Sequence, residues 1–176
     1  MPRIISGKHG GIKLISPKHN IRPTADRVKE YIFNVLQEFD NKVVLDLFSG
    51  IGSLGIEAYS RGAKEVFLVE NNNRSIDIIK RNLSKINNPK NIKYYKSNAL
   101  NFCNEYSEYF DTIFADPPYK LKLEKDFFDS IYLALKVGGI FIFENSIKNK
   151  FDIMDSLILR KEKKFGETGV WMYEKK

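Results

Sequence analysis

From residue 42 onward the chain alternates short apolar runs with longer amphipathic stretches. Residues 43–47 (Val-Val-Leu-Asp-Leu), 66–70 (Val-Phe-Leu-Val-Glu), 92–95, 112–116 and 140–144 (Ile-Phe-Ile-Phe-Glu) are rich in β-branched and aromatic side chains and predict five strands. Between them, residues 53–61, 73–85, 99–106 and 124–136 carry apolar positions at helical spacing, the first closed by Gly62 and the second facing inward through Ile76, Ile78, Ile79 and Leu83. Strands that alternate with helices predict an α/β fold with a parallel, doubly wound sheet. The last two runs, 157–165 and 169–174, are both strand-like and flank a turn at Gly166, which predicts a closing hairpin and one antiparallel strand. Upstream, Val28, Tyr31, Ile32, Val35, Leu36 and Phe39 fall on one helical face, with Thr24 as N-cap and Asp26 in the first turn. Residues 2–16 hold two apolar patches around Gly7, Gly10 and Gly11, the pattern of an N-terminal β-hairpin, and 17–23 is irregular.

The 176 residues suit one domain: a basic hairpin arm over 1–23, then a helix and the sheet core over 24–176. No apolar run is long enough for a transmembrane helix, and the first residues lack the pattern of a secretory signal. A single cysteine, Cys103, cannot form an internal disulfide and reads as a small core residue. These features predict a cytoplasmic protein. The net charge is +7, and +5 of it lies within residues 1–30, where seven basic side chains face Asp26 and Glu30. Such a concentrated basic arm is the footprint of a polyanionic partner. The lysines of 161–164 and 175–176 read instead as solvated surface charge.

Two motifs carry chemistry. Asp116-Pro117-Pro118-Tyr119 ends an apolar strand, because proline gives no N–H to the ladder. It leaves a carboxylate, carbonyls and an aromatic face at the carboxyl edge of the sheet, where open α/β sheets bind ligands. Acceptors beside an aromatic ring suit a planar group with an exocyclic amine, a nucleobase. The second motif, 46–55 (Asp-Leu-Phe-Ser-Gly-Ile-Gly-Ser-Leu-Gly), contains G-x-G-x-x-G directly after a strand and opening a helix. Glu70 follows Gly50 by twenty residues, at the tip of the next strand, where a carboxylate can take both ribose hydroxyls. Asp46, just before the loop, would repel a pyrophosphate but suits a cation. S-adenosyl-L-methionine, with its ammonium and sulfonium, is the adenosine-containing ligand that matches. The candidate cofactor residues are Asp46, Phe48, Ser49, Gly50, Gly52, Glu70, Asn71, Asn98 and Ala99. Asn98 reads equally as the N-cap of the next helix, and both roles can hold together.

The block 22–30 (Arg-Pro-Thr-Ala-Asp-Arg-Val-Lys-Glu), the loop 45–58, the segment 60–63 (Ser-Arg-Gly-Ala) and Asp116-Pro117-Pro118-Tyr119, taken in order, resemble the RsmD family of 16S rRNA guanine-N2 methyltransferases. The resemblance spans nearly the whole chain, and the Arg-Pro-Thr-x-Asp-Arg block is its most specific part. Ser49, Tyr119 and Asn98 stand where the family commonly has alanine, phenylalanine and aspartate. The resemblance implies a Rossmann-like methyltransferase sheet, S-adenosylmethionine as donor and a guanine of small-subunit 16S rRNA as acceptor; with no appended RNA-binding domain in the sequence, the expected substrate is a pre-shaped one, a small-subunit assembly particle. Asp116 and the Pro117 carbonyl would then orient the amino group, with Pro118 shaping the turn and Tyr119 stacking on the extruded base. Arg3, Lys8, His9, Arg22, Thr24 and Arg27 are the candidate RNA contacts. His9 also reads as an exposed bystander, and Arg27 as an ion-pair partner of Glu30. No Cys/His cluster calls for a metal, and a monomer is expected. Competing readings are a DNA adenine-N6 or cytosine-N4 methyltransferase, a non-catalytic ribosome assembly factor and a small NAD-dependent oxidoreductase.

Overall fold

The structure, a computed structural model, describes residues 2–17 and 25–176. Lys18, His19, Arg22 and Thr24, with the N-cap role expected of Thr24, lie outside the described residues.

Seven strands form one sheet in the order β3-β2-β1-β4-β5-β7-β6. The first five are β1 (Val43–Leu47), β2 (Glu65–Glu70), β3 (Ile92–Lys96), β4 (Phe110–Ala115) and β5 (Leu135–Ser146), and their pairings are parallel. The closing hairpin supplies β6 (Leu157–Phe165) and β7 (Thr168–Lys175); β7 slots between β5 and β6 and runs antiparallel to both. β3 and β6 are the outer edges of the sheet.

The central strands are apolar almost throughout because both of their faces are covered. On one face α1 (Ala25–Leu36), α2 (Ser53–Ser60) and α3 (Asn73–Ser84) lay Ile32, Phe33, Ile56 and Ile79 on Val44, Val66, Leu68, Phe114 and Ile142. On the other, α4 (Ala99–Cys103) and α5 (Lys125–Ala134) lay Phe102, Phe128 and Ile131 on Leu45, Phe67, Ile113, Phe141 and Phe143. Each of these side chains removes apolar area worth roughly 1.5–3 kcal/mol from water. Cys103 is buried in this second layer, where burial pushes its thiol up to about 12.

Several elements differ from the sequence pattern. α1 stops at Leu36, since Gln37 turns into the left-handed region (φ 51°); Phe39 lies beyond the helix yet is buried against Phe33 and Phe114. α4 ends at Cys103, short of Tyr106. β5 begins at Leu135 and carries Gly138 and Gly139 inside it, with a register shift against β4 between Phe110 and Thr112. A bulge of this kind absorbs glycines that sequence reading takes for a strand start.

The N-terminal hairpin is held by one bridge, Arg3 to Lys13, with Ile4 N donating to Ile12 O (2.9 Å) and Leu14 N to Pro2 O (2.8 Å), rather than by two regular strands. Its stability comes from docking. Ile4 and Leu14 are fully buried. Ile5 N and Ser6 N donate to the Glu57 carboxylate at 2.6 and 3.0 Å, and Lys8 N donates to Ser60 O at 2.8 Å. A Cβ on Gly7 would meet Ser60 O at 1.9 Å, so only glycine permits this approach. Farther along, Ile15 N donates to Asn82 Oδ1 at 2.7 Å, and Asn82 Nδ2 donates to both Ile15 O (3.2 Å) and Ile51 O (3.0 Å).

Candidate active site

The carboxyl ends of the parallel strands open into a cleft of about 680 Å³. Its floor is the β1–α2 loop. Asp46, the one acidic residue of β1, is 2 % exposed and points its Oδ2 at Gly55 N in the first turn of α2 (2.8 Å). Gly55 has no side chain because a Cβ there would meet Leu68 Cδ2 at 2.3 Å; the helix packs directly on the sheet. Phe48 and Gly50 both adopt φ 56°, which throws the loop backbone toward the cleft. Ser49 is spent on β2, its N and Oγ donating to Val69 O at 3.0 and 3.2 Å.

Glu70 holds the loop from the other side. Its Oε2 accepts from Gly50 N, and its Oε1 accepts from Asn71 N and Asn72 N, each at 2.8 Å. The carboxylate is thereby fixed at the strand tip with lone pairs remaining. Asp116, Pro117 and Pro118 line the same cleft just past the end of β4. Asp46, Glu70 and Asp116, which lie far apart in sequence, therefore share one cavity.

Residues that the sequence pattern did not single out complete the lining. Glu144, at the end of β5, and Asp26, in the first turn of α1, bring the carboxylates to five. Lys29, Ser53, Asn72 and Ser75 also line it. These acids do not gather into a metal-ligating group among the described residues. The consequence is a strongly negative pocket. Asp46 records it: its carboxyl is pushed up to about 7, first by burial and then by Asp116 and Glu70, against the opposing hydrogen bond from Gly55. A buried carboxylate in that state gains most from a cationic ligand.

Lys29 is the one cation on the wall among the described residues, and it is already engaged. It is 3 % exposed and donates to Arg3 O (2.5 Å) and Ser53 Oγ (3.1 Å), with Glu57 Oε2 at 3.7 Å. Burial holds its pKa below the usual range, while Glu57 and Asp26 pull the other way. It staples the arm to the start of α2. Glu57, the acceptor of Ile5 N and Ser6 N, also accepts from Arg61 Nε at 2.9 Å.

The remaining candidates stand elsewhere. Tyr119 is half-buried beside the cleft rather than in its lining; its hydroxyl bonds Thr168 Oγ1 at 2.6 Å and its carbonyl accepts from Asn149 Nδ2 at 2.9 Å. Asn98 caps α4, its Oδ1 accepting from Leu100 N (2.9 Å) and Asn101 N (3.4 Å). Neither Asn98, Ala99, Asn71 nor Gly52 is among the lining residues. In the arm, Pro2, Ser16 and Pro17 reach the cleft. Lys8 and His9 do not: Lys8 Nζ sits 3.6 Å over the Tyr59 ring and His9 stacks on the same ring. The His9 pKa is lowered by burial and by Lys8. Both lie at the far end of α2, about 12 Å along the helix from Ser53. Arg3 and Arg27 are exposed, and Arg22 and Thr24 lie outside the described residues.

Known proteins resemble this chain in sequence and fold. The model of the family described as "Conserved hypothetical protein 95" matches residues 2–174. A protein of Buchnera aphidicola subsp. Baizongia pistaciae called ribosomal RNA small subunit methyltransferase D is 33% identical, over 92% of this chain and 86% of its own. The Escherichia coli K12 protein of the same name is 30% identical, over 98% of this chain and 89% of its own. Among solved structures, that of yhhF from Escherichia coli superposes with a TM-score of 0.88 at 28% identity, covering 99% of this chain and 98% of that one.

Proposed function

The chain belongs to the RsmD family of ribosomal RNA methyltransferases, and on that premise we propose that it transfers a methyl group from S-adenosylmethionine to the exocyclic N2 of a guanine in 16S, small-subunit rRNA. The observation that carries the reading is the acidic cleft at the strand tips, with Asp116-Pro117-Pro118 on its wall. Five carboxylates fit a ligand with two positive centres and no phosphate. A dinucleotide would bring a pyrophosphate against Asp46, which lacks a cation to offset it.

In this reading Asp46 receives the ammonium, the loop N–H groups receive the methionine carboxylate, and Glu70 receives the ribose hydroxyls. The cofactor supplies an electrophilic methyl carried on a sulfonium. The amino group of guanine is a poor nucleophile because its lone pair is delocalised into the ring. Asp116 and the Pro117 carbonyl accept its two hydrogens and localise that pair, and Asp116 takes the proton that is lost. Tyr119, its ring steadied through Thr168, stacks on the extruded base, a contact worth roughly 1–3 kcal/mol. The rest is alignment of two bound reactants. The enzyme works as a monomer on an assembly particle that presents the base pre-shaped.

The test uses labelled donor with separately purified small subunits, naked 16S rRNA, tRNA and DNA, followed by mass-spectrometric mapping of the modified base. The label is expected on guanine N2 in the small subunit or its RNA. Label on adenine N6 or cytosine N4 of DNA overturns the reading.

A further inference from the structure

Tyr119 separates the acidic cleft from a second groove of about 570 Å³. Two loops at the same rim build it: residues 119–125, between β4 and α5, and residues 148–152, between β5 and β6. Asn149 ties the loops together, its Nδ2 donating to Tyr119 O (2.9 Å) and to Asn145 Oδ1 (2.7 Å). The charge of the two cavities is opposite. The cleft carries five carboxylates and one engaged lysine, whereas the groove carries Lys120, Lys122, Lys125, Lys148 and Lys150 against Glu124 and Asp152.

Three of the five lysines are paired. Lys122 bonds Glu124 (2.8 Å), Lys125 bonds Asp129 (2.7 Å) and Lys148 bonds Glu167. Lys120 and Lys150 are exposed and make no ion pair or hydrogen bond among the described residues. Two exposed ammonium groups, one on each loop, thus line a groove that also includes Tyr119, whose ring is expected to stack on the substrate base.

A base that leaves its stack carries its backbone to the mouth of the pocket. The flanking phosphates cannot lie along a wall of carboxylates. They can lie in a lysine groove one residue away. The basic turn of the arm, Lys8 and His9, rests on Tyr59 at the far end of α2 and lines neither cavity. Resting on the rRNA methyltransferase reading above, we propose that this groove seats the phosphates of the RNA strand next to the target nucleotide, with Lys120 and Lys150 as the contacts.

The experiment compares the wild type, the double variant Lys120→Gln/Lys150→Gln and a control, Lys161→Gln/Lys163→Gln, on the outer strand β6. Methyl transfer to small subunits is measured across a salt series, and donor binding by calorimetry. The groove variant is expected to raise KM for RNA about tenfold or more, with kcat and donor affinity unchanged. Its slope of log affinity against log salt becomes shallower by about 1.4, for two single-strand phosphate contacts at roughly 0.7 each. The control keeps wild-type values. An active wild type with an unchanged groove variant, or an equal loss in the control, overturns the proposal. A wild type that methylates no RNA overturns the enzymatic reading instead, and the groove assignment falls with it.

Discussion

Asp46 and Glu57 are both buried carboxylates on the same side of the sheet, at 2 % and 0 % exposure, yet their surroundings are opposite. Glu57 accepts from Ile5 N, Ser6 N and Arg61 Nε, with Lys29 nearby at 3.7 Å. Asp46 accepts one backbone N–H, from Gly55, and the side chains that bear on it electrostatically are the acids Asp116 and Glu70. A buried charge with a full set of partners holds structure together; one short of partners is poised to receive a ligand. The two kinds of acid sit toward different ends of α2. At Ser60 the turn of the arm is docked; at Ser53, where Lys29 also ties Arg3 to the helix, the cleft carboxylates gather.

The division is tested most severely by Glu57→Ala. It strands Arg61, Lys29 and two backbone donors, and should cost roughly 3–5 kcal/mol of stability, read by denaturant unfolding. Methyl transfer per folded molecule should change far less. An unfolding midpoint equal to wild type would erase the contrast. Asp116→Ala should do the reverse, lowering kcat about 100- to 1,000-fold while donor binding and melting temperature stay near wild type; near-normal turnover would remove the carboxylate from the mechanism. Asp46→Asn keeps an acceptor for Gly55 N but removes the charge. Donor affinity should fall about 10- to 100-fold, in keeping with about 1.5–3 kcal/mol for a charged hydrogen bond, while the ligand-free protein melts at the same temperature or higher because an unpaired buried charge is gone.

The smallest effect is a pH dependence. Asp46 is held at about 7 in the folded chain against 3.8 as its ordinary value. A raised carboxyl pKa means that the unfolded chain releases this proton first. Its contribution to the stability of the ligand-free protein therefore declines as pH rises from about 4 to 7, then levels off. Binding of a cationic donor has the opposite sign, since it requires the ionised form. Affinity should weaken by up to about tenfold between pH 7 and pH 6, and Asp46→Asn should flatten both curves.

Much of this frame was legible in the sequence, because parallel strands buried on both faces leave an apolar signature and because the loop and the double-proline turn are local patterns. The order of elements, an antiparallel strand from the closing hairpin and the shared cavity of Asp46, Glu70 and Asp116 follow from such local signals, whereas the slotting of β7 between β5 and β6 does not. Glu57 and Asn82 were not legible. Their partners in the N-terminal arm lie 51 to 67 residues away in the chain, so nothing local announces that docking. The one clue was a lone charge inside the apolar run 54–59 (Leu-Gly-Ile-Glu-Ala-Tyr). Lys29 was counted with the basic arm, although it is buried and pairs inward. Glu144 sits at a strand tip as Glu70 does, and the same rule applied to β5 would have named it. The groove lysines were invisible because their two loops come together only in the fold, with Asn149 bonding Tyr119, 30 residues away in the chain.

An open sheet has two exposed rims, and a bare rim invites another copy to add strands. Here the outermost strands carry Lys93 and Lys96 on one side and Arg160, Lys161, Lys163 and Lys164 on the other. Two molecules meeting rim to rim would press ammonium against ammonium before any backbone ladder could form. Lysines that look like idle surface charge thereby disfavour strand addition at either rim.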